Sequence, residues 1–532
     1  MTILRSVLTL RPALTAAVAP ARRRLTAAVL LGLSLAATTA LAEVSLPNVF
    51  SDHMVLQRRQ ANKVWGKAAP GERVTVTLGT QSHETTANAD GAWQIMLAPM
   101  EATPGAPQKL VAKGPTNQVA IDDVLVGEVW VASGQSNMAA TMTSIHDGDL
   151  ELAAANHPEI RSVRYTSRGA QTPNWTDANA RWVVCTPQSA RQFSAVAYIF
   201  ARQIHETLRV PVGIINNAWG GSRAEAWVPS KYFEGRANLQ PIVARYDGFA
   251  KELAALTAKG TLTTEEQAKV RTLTTDVNGD DRPANAWNGI VASHAGYGVR
   301  GVLWYQGEGN APRGHQHREL FPLLIESWRK EWGQGDFPFY WVQLPGNSTE
   351  NRALADNPEP TDSRWAELRE SQTMTLKIPN TAQAVTIDLG EDGNLHPRSK
   401  KDIGLRLARI ALARDYGVQM AYQSPSYRSM QIEGSKIILT FENVSMRLRA
   451  IDGGPLRGFA IAGEDRKFVW ANATVNQNGT ITVSSDKVPN PVAVRYAWAE
   501  NPVTNVYDNA RLPLTPFRTD DWKGVTDGVL VH

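Results

Sequence analysis

The sequence predicts an α/β protein: a central region built on a parallel sheet, with a β module before it and another after it. Three observations lead there. Between about residues 43 and 122, apolar and polar residues alternate with a period of two. From about 123 the pattern changes to strands alternating with helices, the order that builds a parallel sheet. From about 420 to 532 short alternating runs return, separated by turn residues. At 532 residues the chain can form two to four domains with sizeable cores.

Residues 1–42 stand apart from this scheme. Arg22, Arg23 and Arg24 precede an apolar run from Leu25 to Leu41, which closes on Ala40, Leu41 and Ala42. A basic lead, an apolar stretch and small residues at the end predict a secretory signal peptide cleaved near Ala42, hence a periplasmic or secreted protein. The run of about 17 residues is short for a membrane span. The leader holds five arginines and no acid, so its removal leaves 50 basic residues against 51 acidic ones. The formal +4 of the whole chain then becomes −1, and no basic stripe with interleaved aromatics suggests nucleic acid. Cys185 is the sole cysteine, which excludes an internal disulfide and a cysteine-built metal site. Sixteen tryptophans suit a sugar-binding cleft or an ordinary core.

In the first module Val74, Val76 and Leu78 alternate with Arg73, Thr75 and Thr77, and Asp90-Gly91 marks a hairpin before Trp93, Ile95 and Leu97. A small antiparallel sandwich is expected over 43–122. The central region, 123–419, opens with the strand before Ser136. A helix at about 190–208 presents Phe193, Ala197, Phe200, Ile204 and Leu208 on one face. Strands follow at Val212–Ile215, Gly301–Tyr305, Phe337–Leu344 and Ala384–Asp388, with a helical insertion at about 235–285 that ends in the polar loop Asn278 to Asp281. After His396, Ile403, Leu407 and Ile410 have helical spacing. The last module, 420–532, offers strands at Ile437–Phe441, Gly458–Ala462, Thr480–Ser484 and Val492–Ala497.

Four polar or glycine-bearing segments each follow a strand of the central region. In a parallel sheet such segments gather at the carboxyl edge, where ligands bind. They carry Ser136, the Gly220-Gly221 backbone, the side chains of Gln306, Glu308 and Asn310, and His396. A hydroxyl nucleophile, an imidazole to take its proton, and amide N–H groups to hold an oxyanion are the parts of an acyl-transfer site. Met138 stands where the second glycine of Gly-x-Ser-x-Gly would be, so the turn is not the usual α/β-hydrolase elbow.

Gly134-Gln135-Ser136-Asn137-Met138, Trp219-Gly220-Gly221-Ser222, Trp304-Tyr305-Gln306-Gly307-Glu308 and Leu395-His396-Pro397 resemble, in order, the four blocks of the carbohydrate-esterase branch of the SGNH hydrolases. The likeness is to the sialate O-acetylesterase-like family. It extends to Leu46–Leu56 at the front, and to Pro489–Ala499 and Pro516–Trp522 at the end. The resemblance implies a three-layer α/β/α, flavodoxin-like catalytic domain with flanking β-sandwich-like modules. It implies removal of O-acetyl groups from sugars without a metal or other cofactor. Ser136 would be the nucleophile and its own N–H an oxyanion donor. Gly220, two residues before Ser222, matches the second block better than Gly221. The third block departs from the broad Gly-x-Asn-Asp form, so the side-chain amide falls to Gln306, with Asn310 as the alternative. Glu308 would brace the loop or the substrate, and His396 would be the base.

The superfamily places an aspartate three residues before the histidine, but Gly393 stands there. Asp392 is the nearest candidate to orient the imidazole. The alternative is a Ser–His dyad held by a backbone carbonyl or Asn394. Arg223 could hold a substrate carboxylate or pair with Glu225. His315 and His317 form a weak metal pattern or face solvent. The expected activity is that of an exported serine esterase acting on acetylated sialic acid or on hemicellulose such as xylan or xyloglucan. A catalytically silent carbohydrate-binding protein is the alternative, and a lipase-like activity a more distant one. Neither nucleic acid nor, after cleavage, a membrane is expected as a partner.

Overall fold

The computed structural model of the protein describes residues 43–347 and 360–531. The proposed leader and its cleavage site lie outside the described residues. The chain opens with strands β1 (Val55–Gln57), β2 (Asn62–Lys67), β3 (Arg73–Leu78), β4 (Gln81–Thr86), β5 (Ala92–Leu97) and β6 (Gln108–Lys113). The predicted alternation holds: Val74, Val76 and Leu78 are buried while Arg73 is exposed. The turn at Asp90-Gly91 is not a hairpin: it leads from β4, which pairs with β3, to β5, which crosses to pair antiparallel with β2.

The strand β7 (Gln118–Gly134) joins the two regions. Its first half pairs antiparallel with β6, and its second half enters the central sheet. It runs without a break across the 122/123 boundary read from the sequence. The reason is compositional: Val124 to Ala132 is a nearly continuous run suited to burial on both faces, interrupted only by Gly127 and Glu128, with no Pro, Asn or Asp before Gly134. The first β region is thus a ribbon of β2 and β5 beside the antiparallel set β4, β3, β6 and β7.

With β8 (His157–Arg164), β9 (Trp182–Cys185), β10 (Val212–Asn216), β11 (Gly301–Tyr305), β12 (Phe339–Gln343) and β13 (Thr381–Val385), the central sheet has the order β13-β12-β11-β7-β10-β8-β9. All neighbours are parallel except β8 and β9, so the sheet is mixed. Strand β13 begins at Thr381, three residues before the position read from the sequence, because Thr381 registers with Phe339.

Successive residues of a strand point to opposite faces, which sorts the helices. Val129, Val131, Val302, Trp304, Phe339 and Trp341 form one core, which includes Leu320, Phe321, Leu324 and Trp328. Trp130, Ala132, Leu303, Tyr305, Tyr340 and Val342 form the other, with Val196, Ile199, Phe200, Ile403, Leu407 and Ile410. In chain order the helices are α1 (Ser136–Ala139), α2 (Gly148–Ala153), α3 (Ala195–Leu208), α4 (Gln240–Thr257), α5 (Thr264–Asn278), α6 (Asn285–Gly289), α7 (Gly314–Trp332), α8 (Arg364–Met374) and α9 (Lys400–Arg414). Helix α7 therefore covers one face, and α3 and α9 the other. The insertion is the pair α4 and α5. Ser194 caps α3 by accepting the Ala197 N–H, and Thr263 and Glu266 form a reciprocal capping box on α5.

The last region contains β14 (Ser426–Glu433), β15 (Lys436–Glu442) and shorter antiparallel strands around a core of Ile437, Leu439, Phe459, Ile461, Val494 and Tyr496. It docks on the β13 side of the sheet. Val385 and Ile387 belong to its core, and the buried Arg369 guanidinium donates to the carbonyls of Ala499 and Glu500. Among the described residues no helix is long and apolar enough to cross a membrane.

Candidate active site

Strand β7 delivers Ser136 through a turn only glycine can make at its first step. Gly134 has φ +125°, and a β-carbon there would overlap the Tyr305 carbonyl of the neighbouring strand. That close approach lets the Gln135 N–H donate to Tyr305 O at 2.9 Å and the Trp219 N–H donate to Gly134 O at 2.9 Å. The first, second and third blocks are thereby tied together by main-chain bonds alone. Ser136 then opens α1.

His396 arrives on the loop between β13 and α9. Its Nε2 lies 2.8 Å from Ser136 Oγ, within reach for proton transfer. Its backbone N–H donates to Asn394 Oδ1 at 2.9 Å. Among the described residues its Nδ1 has no hydrogen-bond acceptor, and no bond joins it to Asp392, which is exposed. Asn394 thus holds the main chain of His396 rather than its ring. Glu391 braces the same loop: it accepts from the Arg398 N–H at 2.6 Å and from Asn394 Nδ2 at 2.9 Å, and pairs with His146 at 2.9 Å. Burial, then the positive charge of Lys400, holds the His396 imidazole below the usual histidine range.

Gly220 lies against the serine. A β-carbon on it would stand 3.5 Å from Ser136 Cβ. Among the described residues the N–H groups of Ser136 and Gly220 donate to no acceptor. Gly221 has φ +86° and faces Asp280 instead. The expected side-chain amides are differently engaged. Gln306 Nε2 donates to Asn310 Oδ1 at 2.7 Å and Ser222 O at 3.2 Å. Asn310 Oδ1 also accepts the Ala224 N–H, and its Nδ2 donates to Glu225 Oε2 at 2.9 Å. Both amides are committed to bracing, because the second-block loop has buried main-chain groups that need partners. Of the two amides expected as a side-chain oxyanion donor, Gln306 Nε2 thus makes two donor bonds and Asn310 Nδ2 one among the described residues.

The pairing of Arg223 also differs from the sequence expectation. Glu225 is buried against the Arg313 guanidinium, and Arg223 Nε lies 3.3 Å from Asp281 Oδ1. Asp280 and Asp281 come from the loop after α5, so the helical insertion returns to the site. Burial pushes the Asp281 carboxyl up to about 6. Glu308 Oε1 accepts from Asn137 Nδ2 at 2.5 Å, a bracing contact. Nothing in the sequence singles out Lys400, Asp280 or Asp281 as site residues. The polar loop at Asn278 to Asp281 was visible there, but nothing in one sequence places it beside Gly221.

His315 and His317 diverge. His315 pairs with Asp527, while His317 is buried with Nδ1 2.8 Å from Ser371 Oγ, and burial lowers it to about 3. No group of three or more potential metal-ligating His, Cys, Asp or Glu side chains occurs among the described residues.

The sheet and its hydroxyl–imidazole pair fit the class of carboxylic ester hydrolases, and comparison with known proteins narrows that class. Residues 126–263 and 285–413 match the family described as carbohydrate esterase, sialic acid-specific acetylesterase. The mouse sialate O-acetylesterase is 30% identical, covering 88% of this chain and 92% of its own. The human sialate O-acetylesterase is 28% identical, covering 88% and 91%. A crystal structure of a carbohydrate acetylesterase from Xanthomonas citri superposes with a TM-score of 0.77 at 34% identity, covering 90% of this chain and all of that one. The chain belongs to the sialic acid-specific acetylesterase family of carbohydrate esterases. It is a carboxylic ester hydrolase, and the family's chemistry is the deacetylation of carbohydrates.

Proposed function

We propose that the protein is an exported serine esterase that removes O-acetyl groups from a carbohydrate through an acyl-Ser136 intermediate, within an SGNH-type catalytic domain. The observation that carries this reading is the 2.8 Å separation of Ser136 Oγ and His396 Nε2 at the carboxyl edge of the sheet. His396 takes the hydroxyl proton as Ser136 attacks the acetyl carbonyl, and returns it to the departing sugar oxygen. The oxyanion is held by the N–H groups of Ser136 and Gly220, which have no acceptor among the described residues. Water then attacks the acyl carbon as His396 removes its proton, the bond to Ser136 Oγ breaks, His396 returns the proton to Oγ, and acetate leaves.

Two substrate classes suit this chemistry, acetylated sialic acid and acetylated hemicellulose. The Arg223–Asp281 pair favours the second, because the cation that would receive a sialate carboxylate already faces one. Acetate release from a panel of acetylated sialic acids and xylan or xyloglucan oligosaccharides tests both. The expected result is release from the neutral oligosaccharides by the native protein and none by Ser136→Ala. Full turnover by Ser136→Ala overturns the mechanism.

A further inference from the structure

Lys400 begins α9, four residues after His396, and its side chain is 1% exposed. Burying an ammonium costs several kcal/mol unless its donors are satisfied and a counter-charge is near. The Nζ donates to Asn137 Oδ1 at 2.6 Å and to Pro397 O at 2.5 Å, and sits 5.3 Å from the centre of the Tyr305 ring. These are three directions for three donors. Asn137 follows the nucleophile, and its Nδ2 also donates to Leu395 O at 3.1 Å. The carbonyls on either side of His396, those of Leu395 and Pro397, are thus both held from below, one by Asn137 and one by Lys400. The same Asn137 Nδ2 reaches Glu308 of the third block at 2.5 Å.

We propose, on the reading of Ser136 and His396 given above, that Lys400 is a positioning residue of the hydrolytic centre. It is a buried cation that locks the His396 loop onto the Ser136 turn through Asn137, with Glu308 as its counter-charge. The ring of His396 makes no bond to a carboxylate among the described residues, so the imidazole is placed by its main chain, and the main chain is placed by this network. A cation in this position does more than a neutral donor would. It opposes protonation of the imidazole and keeps the base free at mildly acid pH. The charged groups that face Lys400 are Glu308 from the turn after β11 and Glu391 from its own loop, which oppose its deprotonation. Burial dominates and brings the ammonium down to about 8. Tyr305 faces it from β11, and His146 and Arg398 reach it only through Glu391.

The test is the pH profile of kcat/KM on an acetyl ester for two variants. Lys400→Gln keeps amide donors for Asn137 and Pro397 and removes the charge. Lys400→Met removes both. Both are expected to move the acid limb to higher pH, by half a unit or more. Lys400→Met is also expected to lower kcat at the plateau tenfold or more with KM within twofold, and Lys400→Gln to lose less. If folded Lys400→Gln keeps the native acid limb, or folded Lys400→Met keeps the native plateau, the inference is overturned. Should Lys400→Met not fold, the Lys400→Gln profile alone decides. The catalytic reading fails separately, by retained turnover in Ser136→Ala or His396→Ala.

Discussion

Ser136 and His396 are separated by 260 positions in the chain and by 2.8 Å in space, while Asp392, four residues before the histidine, makes no bond to its ring. The pair is therefore expected to work as a dyad. His396→Ala should lose activity by about three orders of magnitude or more, as removal of a general base does. Asp392→Asn should lose less than about tenfold, against the roughly ten-thousandfold cost of the same change in a true triad. Steady-state hydrolysis of a chromogenic acetyl ester measures both.

The pH dependence follows from the direction of the His396 shift. The base must be neutral, so activity rises as pH climbs through the imidazole pKa. Burial and Lys400 lower that pKa from its usual place near 6.5, which moves the acid limb down. At pH 6 an unshifted histidine would leave about a quarter of the plateau kcat/KM. The native enzyme is expected to retain clearly more. An inflection at or above 6.5 contradicts the assignment.

Much of this site could be read in the sequence because each block follows an apolar strand, and parallel strands bring their carboxyl ends together. Gly134, Ser136, Gly220 and His396 are all placed by that rule, and the glycine is required by the Tyr305 backbone beside it. What could not be read is which side chain engages which. Gln306 and Asn310 look like free amides in the sequence, but they serve a buried loop whose main chain needs partners. Arg223 and Glu225 are two residues apart and face different partners, because the turn between them sends one toward α7 and the other toward the loop after α5. The start of the central sheet was blurred for a related reason. One strand serves both the antiparallel and the parallel set, so composition changes before the strand ends.

The Arg223–Asp281 contact has a consequence for specificity. Asp281 lies in the segment between the two stretches that match the family model. Asp281→Asn removes the carboxylate facing the guanidinium and leaves the shape nearly unchanged. Kinetics on paired substrates should show KM for an acetylated sialate falling severalfold, with KM for a neutral acetylated xylo-oligosaccharide altered by less than twofold. A solvent-accessible ion pair contributes only about 0.2–1 kcal/mol, and Arg223 and Asp281, although part-buried, both reach solvent, which sets the modest size of the effect. An equal change for both substrates would remove Arg223 from the recognition of charge.

Arg313 and Glu225 form the most deeply buried ion pair at the site, each side chain 1% exposed. Glu225 also accepts from Asn310, and Arg313 donates to Gln316 Oε1 at 2.6 Å, so the pair fixes the second-block loop to the start of α7. Arg313→Met strands a carboxylate in the interior, and the expected loss of stability is about 3–5 kcal/mol. The cost comes from the unpaired charge rather than from the lost attraction. The double variant Arg313→Met with Glu225→Met should therefore recover much of the loss in urea unfolding, since an apolar pair of similar volume often matches a buried salt bridge. Activity should not recover with it, because Asn310 would lose its Glu225 acceptor and the loop that carries Gly220 one of its braces. If the double variant is no more stable than the single one, the ion pair itself, and not the relief of a stranded charge, holds this part of the fold.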